Sequence, residues 1–87
     1  MAVSAYVLIQ TEVGQAAAVA AEARHISGVV SAEDVTGPYD VILRAEAQSI
    51  DALGRLVVSR LQRIEGITRT LTCPVVQLDS SSSAGGA

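Results

Sequence analysis

The stretch VTGPYDVILR, residues 35–44, places a Gly-Pro turn between two apolar runs. Glycine and proline favour turns, and two strands joined by so short a connection run antiparallel. The stretch therefore predicts a hairpin, with one strand over residues 29–36 and the next over residues 40–47. The turn itself does not require Tyr39 followed by Asp40. This corner is therefore a candidate ligand contact as well as a structural turn.

The segments on either side of this hairpin predict a strand and a helix before it, and a helix and a strand after it. Alternation predicts a strand over residues 3–11, and alanine-rich sequence predicts a helix over residues 14–26. Ser49 is predicted to be the N-cap of a second helix, which Gly66 ends. The last strand is expected over residues 67–78, at a sheet edge or bulge because Pro74 lacks an N–H. A faint repeat, HISGVVS (25–31) and RIEGITR (63–69), links each helix to the strand after it.

The order βαββαβ predicts an α+β, ferredoxin-like fold: a four-stranded antiparallel sheet with both helices on one face. Both faces of that sheet carry apolar side chains. In the first strand, for example, Val7 and Ile9 alternate with Tyr6 and Leu8. A chain of 87 residues buries only about 60% of its unfolded surface, and its helices cover one face. We therefore expect a second copy to cover the other face, sheet against sheet, as in a dimeric α+β barrel.

Composition excludes several classes of function. The net charge is −3, with six arginines and no lysine, so a nucleic-acid surface is not expected. No apolar run is long enough to cross a membrane, and the N-terminus lacks a basic leader, so we expect a cytoplasmic protein. The lone His25 argues against a histidine metal site, and we predict no metal, cofactor or catalytic residue. The Ser/Gly-rich residues 79–87 are expected to be a disordered tail after a domain over residues 1–78.

The ordered set of motifs from Thr36 to Val76 resembles the effector-binding (RAM) domain of the Lrp/AsnC transcription regulators. It comprises the TGPYD turn, a helix with spaced leucines, the IEGI stop over residues 64–67, and a threonine-rich strand. The sheet begins at Val3, with no helix-turn-helix domain before it, so the resemblance is to a stand-alone member. It implies a homodimer, further association of dimers, and a small amino-acid effector bound between dimers. Hetero-association with full-length regulators of the family is a further expectation.

In that family the turn between the second and third strands helps form the effector pocket. Asp40 would bind the ammonium group of an amino acid, and Gly37 would let its carboxylate approach backbone N–H groups. Pro38 would fix the shape of the loop and Tyr39 would wall the pocket. Hydroxyl groups from the last strand complete the expected site, and they belong to Thr70 and Thr72.

Several alternatives stay open at this stage. Asp40 has an equally good structural interpretation, because aspartate often caps a turn through its own backbone. The fold is shared by small dimeric α+β-barrel enzymes such as monooxygenases, although this chain has no Asn, Trp or Phe. A purely structural assembly module is a third possibility. Arg44 is expected to need a carboxylate across an interface, and Cys73 is expected to be a small packed thiol.

Overall fold

The computed structural model describes residues 2–76, apart from the side chain of Val58. The predicted domain boundary at residue 78 and the predicted tail, residues 79–87, lie outside the described residues. The strands are β1 (Val3–Thr11), β2 (Val29–Asp34), β3 (Val41–Ala47) and β4 (Ile67–Pro74). The helices are α1 (Ala16–Ala23) and α2 (Ile50–Ser59), and a 3₁₀ turn over Leu61–Arg63 follows α2. The predicted βαββαβ order is confirmed.

The four strands form one antiparallel sheet in the order β2-β3-β1-β4. β1 and β3 are the central strands, so the hairpin that contains the Gly-Pro turn supplies one central strand and one outer strand. β4 is an outer strand, which agrees with the edge position predicted from Pro74. At Gln10 and Thr11 the pairing of β1 with β4 shifts register, and this irregularity lies beside the turn between β2 and β3.

Both helices are shorter than the sequence predicted. α1 begins at Ala16 because Gly14 has φ +81°, a conformation that cannot continue a right-handed helix. The predicted second helix ends at Ser59, and a 3₁₀ turn replaces its last part. This tighter winding aligns positions three apart, and it allows both Leu61 and Ile64 to reach the core. Strands β2 and β3 are likewise one or two residues shorter than predicted, which is within the fraying of element ends. β4 ends at Pro74, and residues 77–78 of the predicted strand lie outside the described residues.

The core lies between the helices and one face of the sheet. Alternate residues of the central strands, such as Val7, Ile9 and Leu43, are fully buried there. α1 contributes Val19, and its other core contacts are alanines, which let the helix approach the sheet closely. α2 adds apolar side chains on its sheet-facing stripe, including Leu53 and Val57.

The opposite face of the sheet, called the open face below, carries no helix from residues 2–76. Large apolar side chains stand exposed on it, with Tyr6 at 44%, Leu71 at 42% and Ile42 at 37% of their full accessibility. Leu8 lies between Ile42 and Leu71, because it pairs with Ile42 on β3 and with Leu71 on β4. The prediction that apolar residues occupy both faces is thus confirmed for the single chain. None of the helices within residues 2–76 has the length and apolar character needed to span a membrane.

Candidate functional site

The corner formed by residues 37–40 is anchored by three hydrogen bonds to the end of β1 and by one to Val35, which follows β2. The Asp40 N–H donates to the Ile9 carbonyl (2.9 Å), and the Asp40 carbonyl accepts from the Val35 N–H (2.8 Å). The Asp40 carboxylate accepts through Oδ2 from the Thr11 N–H at 2.8 Å. The Gln10 side-chain amide donates to the Pro38 carbonyl at 3.1 Å. One carboxylate oxygen of Asp40 therefore has a structural role, but it binds the backbone of β1 rather than capping its own turn as the structural interpretation predicted.

The rest of the corner keeps unused hydrogen-bonding capacity. Within residues 2–76, the second carboxylate oxygen of Asp40 accepts no hydrogen bond, and the Gly37 and Tyr39 N–H groups donate none. Gly37 has φ +136°, and open space surrounds the position where a Cβ would stand. Asp40 and Tyr39 are half-buried, whereas Gly37 and Pro38 are exposed. The corner thus contains a carboxylate and backbone donors within four consecutive residues, which suits a ligand that carries both charges.

The structure does not bring the two predicted threonines to this corner. Thr70 pairs with Ile9 and Thr72 pairs with Val7, so both side chains lie on the helix-covered side of β4. β1 separates β4 from the corner. Thr70 lines a shallow cavity of about 320 Å³ with Gln62 and Arg69 on the outer edge of the sheet. These threonines would join a site at the corner only if another subunit brought them there.

Gln10 and Thr11 belong to the corner, and the sequence analysis missed them. They sit where β1 shifts register, and Thr68 Oγ1 also donates to the Gln10 carbonyl at 3.2 Å. The strand order of the predicted fold contains the signal that identifies them. It places the end of β1 beside the start of β3, so the last residues of β1 necessarily flank the turn before β3.

The open face is a second candidate site, and Arg44 lies within it. Its cross-strand neighbours are Tyr6 on β1 and Ser31 on β2. Its guanidinium carbon stands 5.9 Å from the centre of the Tyr6 ring, and Glu46 is 3.7 Å from its terminal nitrogen. The Arg44 Nε atom is buried and has no hydrogen-bond acceptor among the described residues. A buried donor without an acceptor costs stability, so the position is incomplete in the single chain.

Cys73 also lies on the open face, opposite Tyr6 on the neighbouring strand. The thiol is free and exposed. The expectation of a packed thiol is therefore wrong for the single chain, because no described element covers the face on which Cys73 stands. Within residues 2–76 no three His, Cys, Asp or Glu side chains gather closely enough to hold a metal ion.

Comparison with known proteins gives a consistent result. The family model for the Lrp/AsnC ligand-binding domain matches residues 4–80. An uncharacterized HTH-type transcriptional regulator from Pyrococcus horikoshii is 33% identical over 54 residues, which cover 62% of this chain and 36% of that protein. The chain spans about a third of the length of the curated relatives it matches.

Solved structures show the same relationship at the level of the fold. AsnC of E. coli is 26% identical with a TM-score of 0.80, over 88% of this chain and 52% of that chain. The feast or famine regulatory protein of M. tuberculosis, solved in complex with L-methionine, is 25% identical with a TM-score of 0.70. That match also covers 88% of this chain and 52% of the other.

Proposed function

Since this chain belongs to the Lrp/AsnC ligand-binding domain family, we propose that it is a non-enzymatic module that binds a small amino-acid-like effector and assembles into oligomers. One observation carries the effector part of the proposal. The Asp40 oxygen and the Gly37 and Tyr39 N–H groups that have no hydrogen-bond partner within residues 2–76 lie in the same four-residue corner. These groups match the ammonium and the carboxylate of an amino acid.

The two halves of such a ligand need different partners. An ammonium group binds most strongly to a carboxylate with good hydrogen-bond geometry, and Asp40 is held in place by its bond from Thr11. A carboxylate is bound by backbone N–H groups, which Gly37 and Tyr39 offer on either side of Pro38, and Gly37 leaves room for it to approach. The half-buried Tyr39 supplies an aromatic wall. The complex of the M. tuberculosis relative with L-methionine supports an amino acid as the ligand class.

The assembly part of the proposal rests on the open face. Tyr6, Ile42 and Leu71 leave a central apolar area in contact with water, and a second copy of the chain would cover it. Removing that area from water favours association, at about 25 cal/mol per Å² before the entropy of association is subtracted. We propose a homodimer closed sheet against sheet, with dimers associating further so that each corner meets a neighbouring dimer.

The wider role follows from the family. We propose that this cytoplasmic module modulates amino-acid-responsive transcription through protein partners, including hetero-association with full-length Lrp/AsnC regulators. The acidic net charge of −3 supports an action through proteins rather than through direct contact with DNA. A purely structural module would use the same open face but would leave the corner without a ligand.

A thermal-shift panel of the twenty amino acids at millimolar concentration tests the effector. We expect at least one of them to raise the melting temperature, because a ligand that binds only the folded state stabilises it. The Asp40→Asn variant keeps an oxygen that can accept from Thr11 but loses the charge, so its response should be much smaller. A flat panel would reduce the proposal to assembly alone.

A further inference from the structure

The two outer strands of the open face carry opposite charges. Glu33 on β2 pairs with Ile42, and Arg69 on β4 pairs with Gln10, so both charged side chains lie on the open face and both residues are exposed. Within residues 2–76 the only ion pair joins Arg44 to Glu46. Glu33 and Arg69 therefore have no charged partner in the described part of their own chain. They flank the central apolar residues from opposite sides.

Two-fold symmetry allows the open faces of two copies to meet in two ways, and the positions of Glu33 and Arg69 distinguish them. In a closed dimer the same surface of each copy meets the other. If the axis runs parallel to the strands, β2 of one copy lies over β4 of the other, and opposite charges approach. If it runs across the strands, β2 lies over β2 and Glu33 approaches its own copy. Like charges brought together oppose association, so the charge pattern favours the first orientation.

We propose that a second copy docks on the open face with its β2 across β4, so that Glu33 of each copy pairs with Arg69 of the other. This inference rests on the proposed function, in which a second copy covers the open face. The register agrees with it, because Glu33 is level with Ile42, Leu8 and Leu71, and Arg69 is two residues from Leu71 along β4. That offset is about 7 Å, a distance that the long arginine side chain spans.

Arg44 supports the same orientation independently. An axis parallel to the strands places β1 of the second copy over β3, and residues at the same level then face each other. Arg44 is level with Tyr6, so it faces Tyr6 of the second copy. A tyrosine presents a ring face that attracts a guanidinium and a hydroxyl oxygen that accepts a hydrogen bond. The hydroxyl oxygen is the kind of acceptor that the buried, unpaired Nε atom of Arg44 lacks among the described residues of its own chain.

Charge reversal tests the pairing in the full chain. Glu33→Arg alone sets Arg against Arg twice in a homodimer, and Arg69→Glu alone sets Glu against Glu twice. Each should raise the dimer dissociation constant roughly tenfold at low salt. The double variant restores both pairs with reversed polarity and should dimerise as the natural chain does. A mixture of the two single variants should form heterodimers for the same reason.

Sedimentation equilibrium at low and high salt provides the measurement. Glu22→Arg on α1 and Arg55→Glu on α2 are matched controls, because both residues are exposed on helices away from the open face. They should leave the dissociation constant unchanged, and salt should weaken the natural dimer more than the single variants. Far-UV circular dichroism confirms that each variant folds, and the mixture of single variants serves as the rescue test if the double variant does not.

The outcomes separate this inference from the proposed function. A natural chain that dimerises, with single variants that dimerise equally well, would overturn the orientation and leave dimerisation intact. The pairing would also be overturned if the single variants dimerised more weakly and neither the double variant nor the mixture of single variants restored the natural dissociation constant. A natural chain that stays monomeric at high micromolar concentration would remove the dimer itself, while the amino-acid panel would still report separately on effector binding.

Discussion

The Asp40 carboxylate accepts a hydrogen bond from the Thr11 N–H at 2.8 Å, and this bond ties the end of β1 to the start of β3. The same carboxylate is the group proposed to bind the ammonium of an effector. Asp40 thus supports the corner with one oxygen and leaves the other for a ligand. A substitution that removes both oxygens would change the fold and the site together, so the two roles need two variants.

We predict that Asp40→Ala lowers the free energy of unfolding by about 1–3 kcal/mol, because the part-buried Thr11 N–H loses its acceptor. Asp40→Asn should lose less, since its amide oxygen can replace the acceptor. Urea denaturation of both variants measures the difference. The structural role of the side chain would be contradicted if the alanine variant were as stable as the asparagine variant. Effector binding should be impaired in both.

Two glycines with positive φ should differ in their tolerance of alanine. Gly37 has φ +136° with open space around it, so Gly37→Ala meets only backbone strain of about 1–3 kcal/mol. Gly28 has φ +100°, and a Cβ there would stand 2.5 Å from a Leu56 methyl carbon and 3.2 Å from the Glu46 carbonyl oxygen. Gly28→Ala should therefore destabilise more than Gly37→Ala in urea denaturation. The reverse order would show that the packing around Gly28 relaxes easily.

The sequence predicted that both faces of the sheet are apolar, but it could not predict which face the helices cover. In β1 the residues Val7 and Ile9 form one face, and Tyr6 and Leu8 form the other. Both sets are apolar, so alternation alone does not distinguish them. The choice depends on packing against both helices, which share one core with the fully buried Ala5, Val7 and Ile9. Long-range packing of this kind has no local signal in the sequence.

Ile42 and Leu43 are neighbours on β3 that point to opposite faces, and we predict opposite consequences for their substitution. Leu43 is fully buried, so Leu43→Ala should cost about 2–5 kcal/mol and lower the melting temperature at every protein concentration. Ile42→Asp should leave the core intact and abolish the rise of melting temperature with concentration that a dimer shows.

The control for this pair is Val13→Asp, because Val13 is fully exposed in the loop between β1 and α1. It adds the same charge away from the open face and should change neither the core nor the dimer. Differential scanning calorimetry across a range of concentrations makes both measurements. A concentration-dependent melting temperature that survives in Ile42→Asp would show that the open face is not the contact between copies.

The candidate site was only partly predictable from the sequence. The corner residues are adjacent in the chain, so a short motif is enough to find them. Thr70 and Thr72 were chosen for their hydroxyl groups, but their face depends on the register of β4 against β1, which the sequence does not specify. Gln10 was missed because its contact with Pro38 joins residues 28 positions apart.

Cys73 is the only cysteine of the chain, and it reports on the open face without any substitution. It is exposed in the single chain and lies opposite Tyr6 on the neighbouring strand. If a second copy covers this face, the rate of thiol modification by a maleimide should fall as the protein concentration rises from the low to the high micromolar range. The physical reason is that reagent reaches the thiol only in the free subunit, whose fraction shrinks by mass action.

A matched control moves the thiol to a helix. Ala17 is exposed on α1, so Ala17→Cys combined with Cys73→Ser should react at a rate that does not depend on dimerisation. The Ile42→Asp variant, which keeps Cys73, should react quickly at every concentration because its open face stays uncovered. If Cys73 of the natural chain reacted equally fast across the whole range while sedimentation showed a dimer, the two copies would have to meet through another surface. The orientation inferred from Glu33 and Arg69 would then fail with it.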